Sequence, residues 1–350
     1  MSGLEKRIFM PTRQELIRQL VEIIKDYRKD SLASRPDVLH VERWIAQFPE
    51  TERDEVLREM VFTLNKTYFS EEKVKDTFSS LLFDNKPVTD AELEFWKRAS
   101  LLDIQKGGNS QHEFSKLVSN LINERSGFIV PKNSPMARNY LYIDDVVFSG
   151  NRLLSDLRSW ITDVAPEEAR LYIVVIGLHL GGEWYAGQKL ESIISQSGKR
   201  ITIAWHWSLK IEDRLRHINA SDVLRPVSAP QDAQMTNHIL NMAHKPTFRV
   251  TGGVGKLGFF SSELGRHTLE QSFLTAGVYI LNICKNLGEK NRPLGYSALE
   301  TLGFGSMIVT YRNCPNNAPL ALWVNHPWYP LLPRSTNADA ALQRAWAEAL

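Results

Sequence analysis

Tyr140-Leu-Tyr-Ile-Asp-Asp-Val-Val-Phe-Ser-Gly-Asn-Arg152 is the stretch on which the fold turns. Its first four residues are apolar or aromatic without alternation, as in a strand covered on both faces. Asp144 and Asp145 follow at the strand's carboxyl end. A small-residue turn at Ser149-Gly150 then opens a helix carrying Leu153, Leu154, Leu157 and Trp160 on one side. The turn Phe148, Ser149, Gly150, Asn151 can aim several backbone N–H groups at a phosphate, helped by the helix N-terminus. One short loop away, two carboxylates can accept hydrogen bonds from a sugar diol. A phosphate cradle beside a diol reader describes a ribose 5-phosphate site; two aspartates merely ending a strand is the plainer alternative.

The flanking sequence repeats the same grammar. Leu101 to Gln105 can form a short strand, and Lys106-Gly-Gly-Asn-Ser110 leads into a helix with Phe114, Leu117, Val118 and Leu121. Phe128 to Val130 is a further strand candidate. Leu171 to Ile176 is a continuous apolar run, Leu190, Ile193 and Ile194 mark a helix, and Ile201 to Trp205 the next strand. Strand and helix alternate at short intervals, which predicts an α/β fold with a doubly wound, Rossmann-type parallel sheet. Ligands of such sheets sit at the carboxyl ends of the strands, where Lys106, Asp144 and Ser149 all fall.

Residues 1–98 predict a helical region packed on that core. Thr12 and Glu15 stand at capping-box spacing ahead of Leu16, Leu20, Ile23, Ile24 and Tyr27. Val41, Trp44, Ile45 and Phe48 form a second apolar set. Thr51, Ser70 and Thr89 are candidate caps for three more helices. The expected division is 1–98 helical, 99–210 sheet core, 211–335 α+β extension and 336–350 helical tail.

Lys and Arg total 42 against 40 Asp and Glu, a net charge of +2, so no global basic field argues for nucleic acid. Two cysteines, Cys284 and Cys314, give neither a disulfide framework nor zinc spacing, and the nine histidines form no ligand motif; no structural metal site is expected. The charged start lacks the apolar core of a secretory signal, and no apolar run nears the ~18 residues of a membrane span. The chain reads as cytoplasmic, with no membrane partner.

With the motif at 140–152, the chain resembles the phosphoribosyltransferases, whose signature is an apolar strand, two acidic residues, a few mostly apolar residues and a Thr/Ser-Gly turn. The resemblance implies that Asp144 and Asp145 hold the ribose hydroxyls and carry catalysis, and that Val147 to Asn151 surround the 5-phosphate. It also implies that Lys106, Gly107, Gly108, Asn109 and Ser110 hold the pyrophosphate of phosphoribosyl pyrophosphate, with Mg2+ accompanying that ligand. Arg152 stands where those enzymes usually carry a phosphate-binding hydroxyl, and can replace it with a charged fork or point to solvent. The short interval between Gly108 and Asp144 leaves no room for the long lid loop common in base-salvage enzymes.

The carboxyl third narrows the resemblance. Ser262 to Gly277 is an amphipathic helix with Arg266 and Glu270 one turn apart; Gly295, Leu302-Gly-Phe-Gly305 and Asn313-Cys-Pro-Asn-Asn-Ala-Pro-Leu320 follow. Together with Val41-Glu-Arg-Trp-Ile-Ala-Gln-Phe48 and Tyr68-Phe-Ser-Glu-Glu-Lys73, these elements are similar to the phosphoribosyltransferase-like conflict-effector family, over about Pro36 to Trp328. That resemblance implies an effector of bacterial anti-phage defence, acting on a nucleotide or nucleic acid and encoded beside a sensor protein. Two classes stay open: an enzyme performing glycosyl transfer or pyrophosphorolysis, and a non-catalytic ribonucleotide sensor or protein-interaction module. Arg266 with Glu270, and Asn316 with Asn317, are secondary site candidates, against an exposed helix pair and a turn brace respectively. Gly253-Val-Gly-Lys-Leu-Gly258 spells a dinucleotide loop without the β-α-β unit such loops need, and is a candidate lid instead.

Overall fold

In the computed structural model, which describes residues 11–32, 35–83, 89–105, 110–250 and 252–334, the chain opens on α1 (Arg13–Ile24). Its reciprocal cap forms as the spacing predicts: Glu15 N–H donates to Thr12 Oγ1 at 3.3 Å, and Thr12 N–H to Glu15 Oε2 at 2.7 Å. Next come α2 (Val38–Ile45), α3 (Arg53–Thr67), β1 (Tyr68–Phe69), α4 (Glu71–Phe83) and α5 (Asp90–Lys97). Thr89 caps α5, accepting from Glu92 N–H at 3.1 Å. Thr51 does not cap α3: the residue before that helix is Glu52, whose side chain makes no cap bond.

The sheet region runs β2 (Ala99–Leu102), α6 (Ser110–Ser126), β3 (Asn139–Val147), α7 (Asn151–Ser159), a π-helical turn Trp160–Val164, β4 (Glu168–His179), α8 (Leu180–Ser197) and β5 (Arg200–Ile211). The strands pair in the order β2-β3-β4-β5, each parallel to the next. This is the expected parallel α/β sheet, with β3 inside it rather than at an edge. Side chains alternate across it with period two. Tyr140 and Tyr142 of β3, Leu171, Ile173 and Val175 of β4 and Ile201 of β5 form one buried cluster with Leu153, Leu154 and Leu157 of α7 and Ala186, Leu190 and Ile193 of α8. On the other face Tyr172 of β4 meets Phe95 of α5, and Phe78 of α4 meets Phe114 of α6.

Two strand expectations change. Phe128 to Val130 is not a strand; only Lys132 bridges Leu101, because Pro131 offers a carbonyl but no N–H to a ladder. β3 runs past the aspartates to Val147, so Asp144 and Asp145 lie inside the strand instead of in a loop after it.

After a 3-10 turn (Leu215–Ala220) come α9 (Ala233–Leu240), α10 (Glu263–Ile283), β6 (Val309–Thr310) and α11 (Leu320–Trp323). The described chain groups into two compact units, one of residues 71–223 and one of residues up to 70 with 224–334. These cuts differ from the expected 98/99 and 210/211 junctions. α4 and α5 go with the sheet, whereas α1 to α3 share their core with the carboxyl third. The reason lies in aromatics that need distant partners. Trp44 Nε1–H donates to Ala321 O at 2.9 Å, Phe48 packs on Phe273 and Trp328, and Tyr27 O–H donates to Pro333 O at 3.1 Å. β1 and β6 pair in parallel within this same unit. Among the described residues no helix is long and apolar enough to cross a membrane.

Candidate functional site

β3 places the paired carboxylates by register. Asp144 lies opposite Val175, and Val146 and Val147 lie opposite Gly177 and Leu178, so both aspartates stand near the carboxyl end of an interior strand. Asp144 is 6% exposed and Asp145 is half-buried. Each carboxylate accepts from the amide that follows it, Asp144 Oδ1 from Asp145 N–H at 2.9 Å and Asp145 Oδ1 from Val146 N–H at 2.7 Å. Burial, reinforced by the neighbouring Asp145 charge, pushes the Asp144 carboxyl up to about 8. The Asp145 amide, the Ser110 hydroxyl and the Arg152 guanidinium pull it the other way. Ser110, first residue of α6, is thereby brought to Asp144. Lys106, Gly107, Gly108 and Asn109 lie outside the described residues. Tyr142, two residues back on the Asp144 face, donates to buried Asp156 Oδ2 of α7 at 3.0 Å and ties strand to helix beneath the carboxylates.

Phe148, Ser149 and Gly150 form the turn into α7. Gly150 has φ +77°, which a side chain rarely tolerates, and a Cβ there would stand 2.7 Å from Gly182 O. At Gly182 a Cβ would fall 2.0 Å from Phe148 O. The two glycines therefore let the turn lie directly on the first turn of α8. Ser149 Oγ accepts from the Asn151 side-chain amide at 3.3 Å, holding the turn's polar groups inward on themselves. Asn151 and Arg152 are exposed at the start of α7, where helix N–H groups lack intrahelical acceptors. Of the alternatives for Arg152, the structure shows an exposed side chain whose charge still reaches Asp144.

What backs this turn is partly what the sequence singles out, His179 and Glu183 flanking Gly181-Gly182 after the preceding strand, and partly Asp213, which it does not. The Phe148 ring lies 5.2 Å from the ring of fully buried His179, last residue of β4. Asp213, beyond β5, accepts from Gly181 N–H at 2.8 Å, and its carboxylate lies 3.7 Å from His179 Nδ1. A His and two glycines directly after an apolar strand were the available signal; Asp213 carried none, because only the β4–β5 pairing brings it there. Nearby, Lys210 pairs with Glu183 at 3.1 Å and lies over the Trp207 ring. Trp205 and Trp207 are partly buried against the sheet's core cluster.

The secondary candidates belong to the other compact unit. Arg266 and Glu270 are not an exposed helix pair: both side chains are fully buried, 2.8 Å apart, and Arg249, also buried, reaches Glu270 at 2.9 Å. Burial pushes Glu270 up and Arg266 down, and their opposite charges resist both shifts. Arg266 also donates to Gly253 O at 3.0 Å and Arg249 reaches Glu263 at 3.2 Å, so this network anchors the glycine loop that spelled a dinucleotide motif. Asn317 braces a turn, its amide donating to Tyr296 O at 3.0 Å while Asn316 O accepts from Tyr296 N–H at 2.7 Å.

A parallel α/β sheet with paired acids on an interior strand, followed by a glycine turn into a helix, defines a phosphoribosyltransferase-like protein. The chain belongs to the PRTase-CE family, whose model matches residues 41–334. No curated protein and no solved structure matches it.

Proposed function

We propose that the carboxyl end of β3 binds phosphoribosyl pyrophosphate or a ribonucleotide, and that the protein uses this site as an effector of bacterial anti-phage defence acting on a nucleotide or nucleic acid. The observation that carries the reading is the buried Asp144 beside Asp145, immediately before a turn that two glycines hold against α8. Asp144 and Asp145 would accept from the ribose 2- and 3-hydroxyls. The amides of Phe148 to Asn151, with the α7 N-terminus, would hold the 5-phosphate, as helix N-termini do. Ser110, with Lys106, Gly107, Gly108 and Asn109, would bind the pyrophosphate. The residues fit Mg2+ arriving with that ligand: hard carboxylate oxygens are present, and a carboxyl raised by burial and then by its neighbour's charge is relieved by a cation. The cation would supply charge neutralisation at the leaving pyrophosphate. Membership of PRTase-CE supports the effector role.

Calorimetry with phosphoribosyl pyrophosphate and Mg2+ tests the reading. Changing both Asp144→Asn and Asp145→Asn should remove binding while the fold persists, each lost charge-assisted bond costing about 1–2 kcal/mol. Lys106→Ala should weaken phosphoribosyl pyrophosphate far more than a nucleoside monophosphate. Release of pyrophosphate on incubation with a nucleotide panel would establish transfer, and binding without release would establish sensing. Full affinity in the double variant would refute the site.

A further inference from the structure

A cavity of about 300 Å³ lies between α9 and α10 in the unit that does not contain the four-stranded sheet. Gln234, Asn237, His238 and Asn241 recur on α9 at the spacing of one helical stripe, the stripe that in an amphipathic helix is apolar and faces its neighbour. Here the stripe borders α10 with a half-buried imidazole, and its three carboxamides stand exposed at the rim of the cavity. Across the cavity α10 offers Asn282 and, one turn earlier, Val278. Met235, fully buried, anchors α9 from another side, and Asp232 caps it by accepting from Met235 N–H at 2.8 Å. The helix is thus held without using its polar stripe for packing.

The lining has a definite chemical character. Its side chains are neutral: carboxamides, an aliphatic Val and a histidine. Burial and the nearby Arg292 charge lower the pKa of His238, which keeps the imidazole uncharged at neutral pH. Its Nε2 atom is shielded from solvent and, among the described residues, finds no hydrogen-bond partner. Asn282 Nδ2 donates to Gln234 Oε1 at 3.3 Å, which leaves Gln234 its N–H pair to donate and Asn282 its carbonyl to accept. Donors and acceptors therefore stand side by side around a small apolar bed.

We propose that this cavity binds a neutral nucleobase or nucleoside, its edge read by Gln234, Asn237 and Asn282 and its face resting on Val278. Planar amides match adjacent donor and acceptor groups on a base edge, as Asn and Gln do with adenine. The volume stands at the small end of ligand pockets, about 300–1,000 Å³, which suits one base or nucleoside rather than a dinucleotide. A charged ligand would meet no countercharge in the lining.

The test uses the full chain with adenosine, guanosine, cytidine and uridine, followed by calorimetry and thermal shift. At least one nucleoside should bind below millimolar concentration. Asn237→Ala and Asn282→Ala should each weaken it about tenfold or more, the scale of one bidentate amide contact. Both positions are exposed on helices, where Ala favours the helix, so the variants keep their fold. The free bases, which carry no ribose for Asp144 to hold, should also bind and should lose affinity in both Ala variants, which separates this cavity from the phosphoribosyl site and lets either fail alone. The proposal is overturned if no nucleoside binds at one millimolar, if both Ala variants bind as the parent does, or if Asp144→Asn abolishes binding while the Ala variants retain it.

Discussion

Asp144→Asn should make the protein more stable as the pH rises. In the folded chain this carboxyl is raised from 3.8 to about 8, first by burial and then by the Asp145 charge. Between those values the folded state holds a proton that the unfolded state has released, so stability falls with increasing pH until the folded carboxyl also ionises near pH 8. At about 1.4 kcal/mol per pH step, the penalty accumulated from pH 5 to pH 8 is on the order of 4 kcal/mol. An amide of the same shape carries none of it. For a unit of this size, spanning residues 71–223, that difference corresponds to roughly 10 °C in midpoint. The assay is thermal unfolding of the parent and the variant at pH 5, 6.5 and 8, read as the difference between them, which cancels the titrating groups that Asp144 does not touch. The gap should widen steadily in favour of the variant. Asp145→Asn should flatten the parent's slope in part, because it removes the second cause and leaves burial. Parallel curves for parent and Asp144→Asn would show that the carboxyl titrates normally, and the account of the strand end would fall with it.

Other expectations follow from contacts at the same level of detail. Gly182→Ala sets a methyl 2.0 Å from Phe148 O, a backbone atom, and should cost about 2 kcal/mol or more as well as weaken phosphate binding at the turn; an unchanged melting curve would refute the close approach. Glu270→Gln leaves the buried Arg266 and Arg249 without the carboxylate they share and should destabilise by about 3–5 kcal/mol, whereas Arg249→Ala leaves Glu270 paired with Arg266 and should cost less; chemical denaturation distinguishes them. Trp44→Ala removes a fully buried ring and its bond to Ala321 O, for a loss of about 3–5 kcal/mol, measured in the same way. Burial pushes the Cys314 thiol up to about 12, so at pH 8 it should resist a thiol reagent until the protein is denatured; fast native labelling of Cys314, located by peptide mapping, would contradict its burial.

The sheet was legible because its strands are apolar runs punctuated by turns, and parallel strands buried on both faces leave that mark in one dimension. Leu171 to Ile176 announced β4 without ambiguity. The strand ends were harder: Asp144 and Asp145 look like terminators, yet β3 continues through them because Val146 and Val147 pair with Gly177 and Leu178. What could not be read were relations between distant segments. Asp213 reaches the turn only after β5 has paired with β4. The Arg266–Glu270 spacing is the same whether the pair faces water or a core, and it is Arg249 that marks it as interior. Trp44 and Phe48 signalled surplus aromatic area, but not that Ala321, Phe273 and Trp328 would cover it.

One unit of the fold is sewn from two pieces, residues up to 70 and residues 224–334, with the whole sheet unit strung between them. A ribosome emits the sheet unit complete, and it can bury its core as soon as it clears the exit tunnel. The first three helices cannot do likewise. Trp44, Tyr27 and Phe48 have no cover until α10 and α11 are made, so at ~5–20 residues per second they wait on the order of ten to fifty seconds with apolar faces open. Closing so long an intervening loop costs only logarithmically more than a short one, so the delay is chiefly kinetic. Nascent-chain proteolysis should therefore find the β3 site protected earlier in synthesis than the helices that precede it.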